Sequence, residues 1–118
     1  KYDTNGNQKW VVRYQGSRRR TVTANAIAVD QAGNVCVTGY MSTSVWDTHS
    51  VGEASSIKGQ FVTLKYDADG REQWIAKYTG PEGHEVWTYD LIIDTQGNIY
   101  VMGFVGSEAL IIKYDATG

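Results

Sequence analysis

The chain has 118 residues, 42% of them apolar and 20% charged, with a formal net charge of −2. That balance excludes a disordered tail and argues against a nucleic-acid binder relying on net positive charge. The longest apolar runs, such as Ala109-Leu110-Ile111-Ile112, fall far short of the roughly 18 to 20 residues of a membrane-spanning helix, so no membrane insertion is expected. Eight Tyr, four Trp and many β-branched residues favour pleated, half-buried surfaces, and 13 Gly with one Pro imply many tight turns.

In chain order, Lys1-Tyr2-Asp3 leads into a turn at Asp3-Thr4-Asn5-Gly6, then a run over 8–15 that reads as the fourth strand of a repeating unit. A second unit follows over 17–80 and three strands of a third over 81–118. The pattern is clearest late in the chain, where strands one, two and three are expected near 89–94, 98–104 and 109–114. In the preceding unit strand three falls at 61–66 and strand four at 73–79. That makes eight short strands in all. No window repeats apolar residues at helical spacing over three turns. Asp30-Gln31-Ala32-Gly33 and Asp94-Thr95-Gln96-Gly97, like the turns at Asp3 and Asp67, place Gly where a short hairpin needs positive φ. Each fits a type I turn closed by a Gly bulge, with the Asp side chain capping backbone N–H groups.

The units are copies. Asp3 to Trp10 aligns with Asp67 to Trp74, and Val29 to Tyr40 with Ile93 to Phe104, both at an offset of 64. From Lys65-Tyr66-Asp67 to Lys113-Tyr114-Asp115 the offset falls to 48. The difference lies in one segment: twenty residues (41–60) separate Tyr40 from Phe61, whereas four (105–108) separate Phe104 from Ala109. The basic unit is about 48 residues, with a loop insertion at 41–60 in one copy. A four-stranded meander at that period is the mark of β-propeller blades. The expected fold is all-β: four-stranded antiparallel blades, about two of them, forming an incomplete ring within one fragment over 1–118.

The quoted motif, Val-Asp-x-x-Gly-Asn-Val-x-Val-Thr-Gly-Tyr followed by Phe-Val-x-x-Lys-Tyr-Asp-x-x-Gly-x-x-x-Trp, resembles the bacterial seven-bladed β-propeller repeats called SBBP repeats. The resemblance covers nearly the whole chain except 41–60. It implies a propeller and an extracellular or cell-surface location, but not one activity, because propellers host many. The turns also resemble those of propellers that hold pyrroloquinoline quinone. There the Trp is a blade-packing residue, so no cofactor follows.

Two blades do not close a ring, so the partners expected first are further blades of a longer chain or other copies of this one. A monomer would leave uncovered blade faces carrying residues such as Val101 or Ile111. In the usual propeller layout the irregular segments 16–26, 41–60, 80–90 and 105–108 share one end, where a protein or glycan ligand would bind. Candidate binding residues there are Arg18, Arg19 and Arg20, the only cationic run, with Trp46, Asp47 and His49 in the insertion and His84 and Trp87 in the second blade. Guanidinium groups suit carboxylate, sulfate or phosphate, and an exposed Trp suits a sugar ring or a protein partner. Against these stand a solvated loop for the arginines, a small loop core for Trp46 and channel-end packing for Trp87. Asp47 and His49 are too few for a metal site. Asp67-x-Asp69-Gly70 resembles the start of a calcium loop, but the twelfth position is Tyr78, so a structural turn is expected.

No catalytic constellation is legible: the two His stand on different loops, and nucleophile elbow, zinc motif and phosphate loop are all lacking. Asp30 and Asp94 read as turn residues, and Cys36, within Val35-Cys36-Val37, as a buried inert thiol. The chain is therefore expected to be a non-catalytic scaffold or binding module. The alternatives are a fragment of a propeller enzyme, hydrolase or quinoprotein-like, whose active site lies in absent blades, and a self-assembling two-blade unit.

Overall fold

A computed structural model describes residues 1–16, 21–43, 58–81 and 84–118. Alternating β-rich runs between Asp–Gly turns build seven strands: β1 (Thr21–Val29), β2 (Val35–Thr43), β3 (Lys58–Tyr66), β4 (Glu72–Thr79), β5 (Val86–Ile93), β6 (Ile99–Val105) and β7 (Glu108–Tyr114). They form two antiparallel meanders, β1-β2-β3-β4 and β5-β6-β7, and no helix is present among the described residues. These are one full blade and three strands of the next; they do not close into a ring.

The insertion is shorter than its sequence suggests. Met41, Ser42 and Thr43 pair with Gln60, Gly59 and Lys58, so both arms continue the β2–β3 ladder. β1 and β5 likewise begin at Thr21 and Val86, which places Trp87 on a strand rather than in a loop. The segment expected as a fourth strand over 8–15 forms no ladder. A single bridge joins Tyr2 to Gln8, because only Lys1 and Tyr2 precede the turn and can serve as its hairpin partner.

Each first strand carries a bulge at the same repeat position, between Ala24 and Ala26 and between Thr88 and Asp90. The bulge drives the Thr23 carbonyl onto Gly39 and the Trp87 carbonyl onto Gly103, where any Cβ would overlap the oxygen. That close approach is why Val-Thr-Gly-Tyr and Val-Met-Gly-Phe keep Gly inside a strand.

The two sheets pack face to face, and period-two alternation sorts the side chains. Cys36 and Phe61 of the first sheet meet Val86, Leu91, Ile99, Val101 and Val105 of the second. Val101, expected on an uncovered face, is therefore buried between the sheets, whereas Ile111 is exposed as expected. On the opposite face of the first sheet, Met41, Val62, Leu64 and Tyr66 form a second cluster, half covered by Tyr14 of the N-terminal segment.

A polar lock recurs at the turn end. Trp74 Nε1 donates to the Ala116 carbonyl at 3.2 Å, and Lys65 Nζ reaches the same oxygen at 3.5 Å. One repeat earlier, Trp10 Nε1 donates to the Ala68 carbonyl at 3.0 Å and Lys1 Nζ at 3.3 Å. Each blade's Lys and Trp thus hold the turn of the next blade. The Trp rings lie on Gly70 and Gly118, where a Cβ would stand 2.8 Å from Trp10 Cδ2 and 3.0 Å from Trp74 Cδ2. The motif Lys-Tyr-Asp-x-x-Gly-x-x-x-Trp therefore encodes both sides of a junction.

Candidate functional site

The end of the blades opposite the Asp–Gly turns gathers the irregular segments. Of the residues expected there, Arg18, Arg19, Arg20, Trp46, Asp47 and His49 lie outside the described residues. His84 and Trp87 are described and stand at the same end, at the entry to β5.

Gly59 and Gly80 both abut Val86, which closes the core beneath this end. Above it, the two-residue turn Gly106-Ser107 joins β6 to β7. The Gly106 N–H donates to the Glu85 carbonyl at 2.9 Å, and the His84 N–H to the Pro81 carbonyl at 3.3 Å. These bonds place the His84 ring over Gly106, with Cδ2 2.7 Å from where a Cβ would sit. Trp87 donates its indole N–H to Glu85 Oε2 at 3.3 Å, which steers the ring. The ring stacks at a tilt on Tyr40 of the first blade, centroids 4.5 Å apart, yet stays 42% exposed. The expectation that Trp87 packs near the channel end thus describes part of the side chain; the remainder faces solvent.

The result is a small exposed step: two aromatic rings from adjacent blades, one carboxylate and one imidazole. Such a surface can stack on an apolar ring face and hydrogen-bond through Glu85. Tyr40 and Glu85 were not singled out in the sequence. Tyr40 falls in the strand-two motif, and only its repeat position, on the face turned to the next blade, links it to Trp87.

The other acidic residues have a different task. Asp30 Oδ1 accepts the N–H groups of Ala32 (3.0 Å) and Asn34 (2.9 Å), and Asp94 Oδ1 those of Gln96 and Asn98, both at 2.9 Å. The Gly33 and Gly97 N–H groups close each turn on the Asp carbonyl at 3.0 Å. Asp67 caps Asp69 and Arg71 in the same way, so this is the turn expected and not a calcium loop. The Asn98 amide, followed by backbone N–H donors, holds the Asp94 carboxyl below its usual range. In Asp30 burial pushes upward, but the Asn34 amide, two N–H donors and Lys65 outweigh it, and the net direction is down. Lys65 Nζ lies 3.7 Å from Asp30 Oδ2, both side chains nearly buried. Burial pushes the Cys36 thiol up to about 11, leaving it unreactive at neutral pH. Among the described residues no group of three or more His, Cys, Asp or Glu is placed to hold a metal ion.

A family model described as SBBP, beta-propeller repeat, matches residues 12–40, which run from the N-terminal segment through β1 and the Asp30 turn into β2. No curated protein matches the chain.

Proposed function

Because this chain carries the SBBP β-propeller repeat, we propose that it is a non-catalytic binding module that takes a protein or glycan partner at the loop end of its blades. The observation that carries the reading is the exposed aromatic step, Trp87 against Tyr40, steered by Glu85 and flanked by His84. The blades supply a rigid base, and the contact side chains sit at strand ends where few rotamers are lost on binding. Arg18, Arg19 and Arg20, close in sequence to β1, would add affinity for an anionic partner. The family resemblance extends the proposal to the cell surface, which fractionation of the source cells would check.

The test follows the Trp87 indole N–H resonance, assigned by its loss in Trp87→Phe, while a glycan library and extracellular protein fractions are screened. A ligand of this site shifts that resonance and binds at least tenfold more weakly to Trp87→Ala. Replacing the three arginines together by Ala weakens an anionic ligand only. A ligand that binds Trp87→Ala and the triple-Ala variant as tightly as the parent chain removes this end as the site.

A further inference from the structure

The two outer faces of the stack are not equivalent to each other. The face that β1–β4 turns away from the second sheet carries Ile27 and Val29, 67% and 61% exposed. By the offset of 64 these are the counterparts of Leu91 and Ile93, which β5 packs against the first sheet. The face that β5–β7 turns outward carries Ile92, Met102 and Ile111, 62%, 46% and 68% exposed. Their counterparts Ala28, Thr38 and Thr63 lie on the first sheet's face toward the second: Ala28 packs in the shared core, while Thr38 and Thr63 are buried. Each outer face thus repeats one half of the junction already formed inside the chain. Faces related in this way complement each other and not themselves, so they join head to tail.

We propose that a second copy of this chain docks head to tail, its outer β5–β7 face covering the outer β1–β4 face of the first. Three features of the acceptor copy fit this occupant. First, residues 9–16 already lie where the preceding blade's fourth strand belongs: Tyr14 packs on the Met41, Val62, Leu64 and Tyr66 cluster, though the segment belongs to no strand. Second, a cleft of about 250 Å³ remains between Val12 and Tyr14 and the sheet residues Val37, Val62 and Leu64. Third, the Ala68 carbonyl is held by Lys1, whose repeat counterpart at the other end of the chain is Lys113.

The donor copy offers the matching parts. β7 pairs with β6 alone among the described strands, so its other edge is open to a fourth strand. Lys113 Nζ sits 5.3 Å over the Tyr100 ring and not on a neighbouring turn. Phe61↔Tyr78, Leu64↔Ile75 and Lys65↔Trp74 pair between β3 and β4. Carrying that register across by the two offsets sets Ala109, Ile112 and Lys113 of the donor against Tyr14, Val11 and Trp10 of the acceptor. Lys113 and Tyr114 then take the place of Lys1 and Tyr2, whose tie to the acceptor strand is one bridge.

The experiment is light scattering after size exclusion on the whole chain, on Ile27→Lys and on Ile111→Lys. Both positions are more than three-fifths exposed, so neither substitution disturbs the internal junction; should one not fold, Ile27→Ser or Ile111→Ser takes its place. The parent chain shows a mass that rises with concentration to a dimer or beyond. Each variant alone is a monomer, having lost one of the two faces. Mixed, they form a one-to-one dimer and nothing larger, because one intact acceptor face meets one intact donor face. A parent chain that stays monomeric up to millimolar concentration overturns the proposal. So does a mixture that fails to pair, which would mean that like faces meet or that other blades are required.

Discussion

Replacing Gly70 by Ala tests the blade junction in isolation. Gly70 has φ +84°, and its missing Cβ leaves room for the Trp10 ring, which would stand 2.8 Å from the new carbon. Two costs add. An L-residue at that φ costs about 1–2 kcal/mol, and forcing a methyl into the ring contact adds about 1–3 kcal/mol. Gly33 separates the two, since it has φ +83° in the same kind of turn but would set its Cβ 3.6 Å from Ala68 Cβ, an ordinary contact. Gly33→Ala should therefore show only the backbone cost of about 1–2 kcal/mol. Gly70→Ala should exceed it by about 1–3 kcal/mol, and Trp10→Ala in the same chain should remove the excess. Urea unfolding of the four variants, with the linear slope checked for constancy, measures each difference. Equal losses at Gly33 and Gly70, or an excess that survives Trp10→Ala, would refute the claim that the Trp ring holds the turn.

Two further outcomes follow from the turns and the core. The carboxyls of Asp3, Asp30, Asp94 and Asp115 all lie below their usual range, through Asn7, Asn34 and Asn98 and, for Asp115, Thr117. In Asp30 the Asn34 amide acts against an upward push from burial. A carboxyl depressed in the folded state stabilises fully above its unfolded pKa of about 3.9 and loses that contribution as pH falls through the lower folded value. The urea midpoint should hold from neutral pH to about 5 and fall below about 4, and Asn98→Ala should flatten that fall; a midpoint constant to about pH 2.5 would contradict the hydrogen-bond account. Cys36, with its thiol near 11, should react with a disulfide reagent at pH 7 at least about 100-fold more slowly in the folded chain than in urea, since an ordinary thiol near 8.5 is a few per cent ionised there. Equal rates would place Cys36 outside the core.

How far the sequence could be read depended on the range of the interaction. The turns were legible because Asp and Gly three residues apart determine their own hydrogen bonds. The repeat was legible because two copies share those turns, and the loss of sixteen residues between them pointed to the insertion. Strand limits were less so. Met41 to Thr43 and Lys58 to Gln60 lack alternation, and only their mutual ladder makes them strands. The run Trp10-Val11-Val12-Arg13-Tyr14 has every propensity for a strand, but a ladder needs a partner edge that Lys1 and Tyr2 supply at one point. Period two places Val101 and Ile111 on faces without saying which face meets another sheet. The bulges opposite Gly39 and Gly103 leave no local mark. The Tyr40–Trp87 contact joins residues of different blades, so neither member could be linked to the other before the sheets were stacked.

The central claim is that the two blades are joined by a repeated lock, each Trp lying on the Gly of the next turn. Proton NMR tests it most directly, through nuclear Overhauser contacts from the Trp10 ring to the Gly70 α-protons and from the Trp74 ring to those of Gly118. The account predicts both sets of contacts, with ring-current shifts at Gly70 and Gly118 and none at Gly6, which has no side chain beside it. Unshifted Gly70 and Gly118 signals, alike with Gly6 and without Trp contacts, would contradict it.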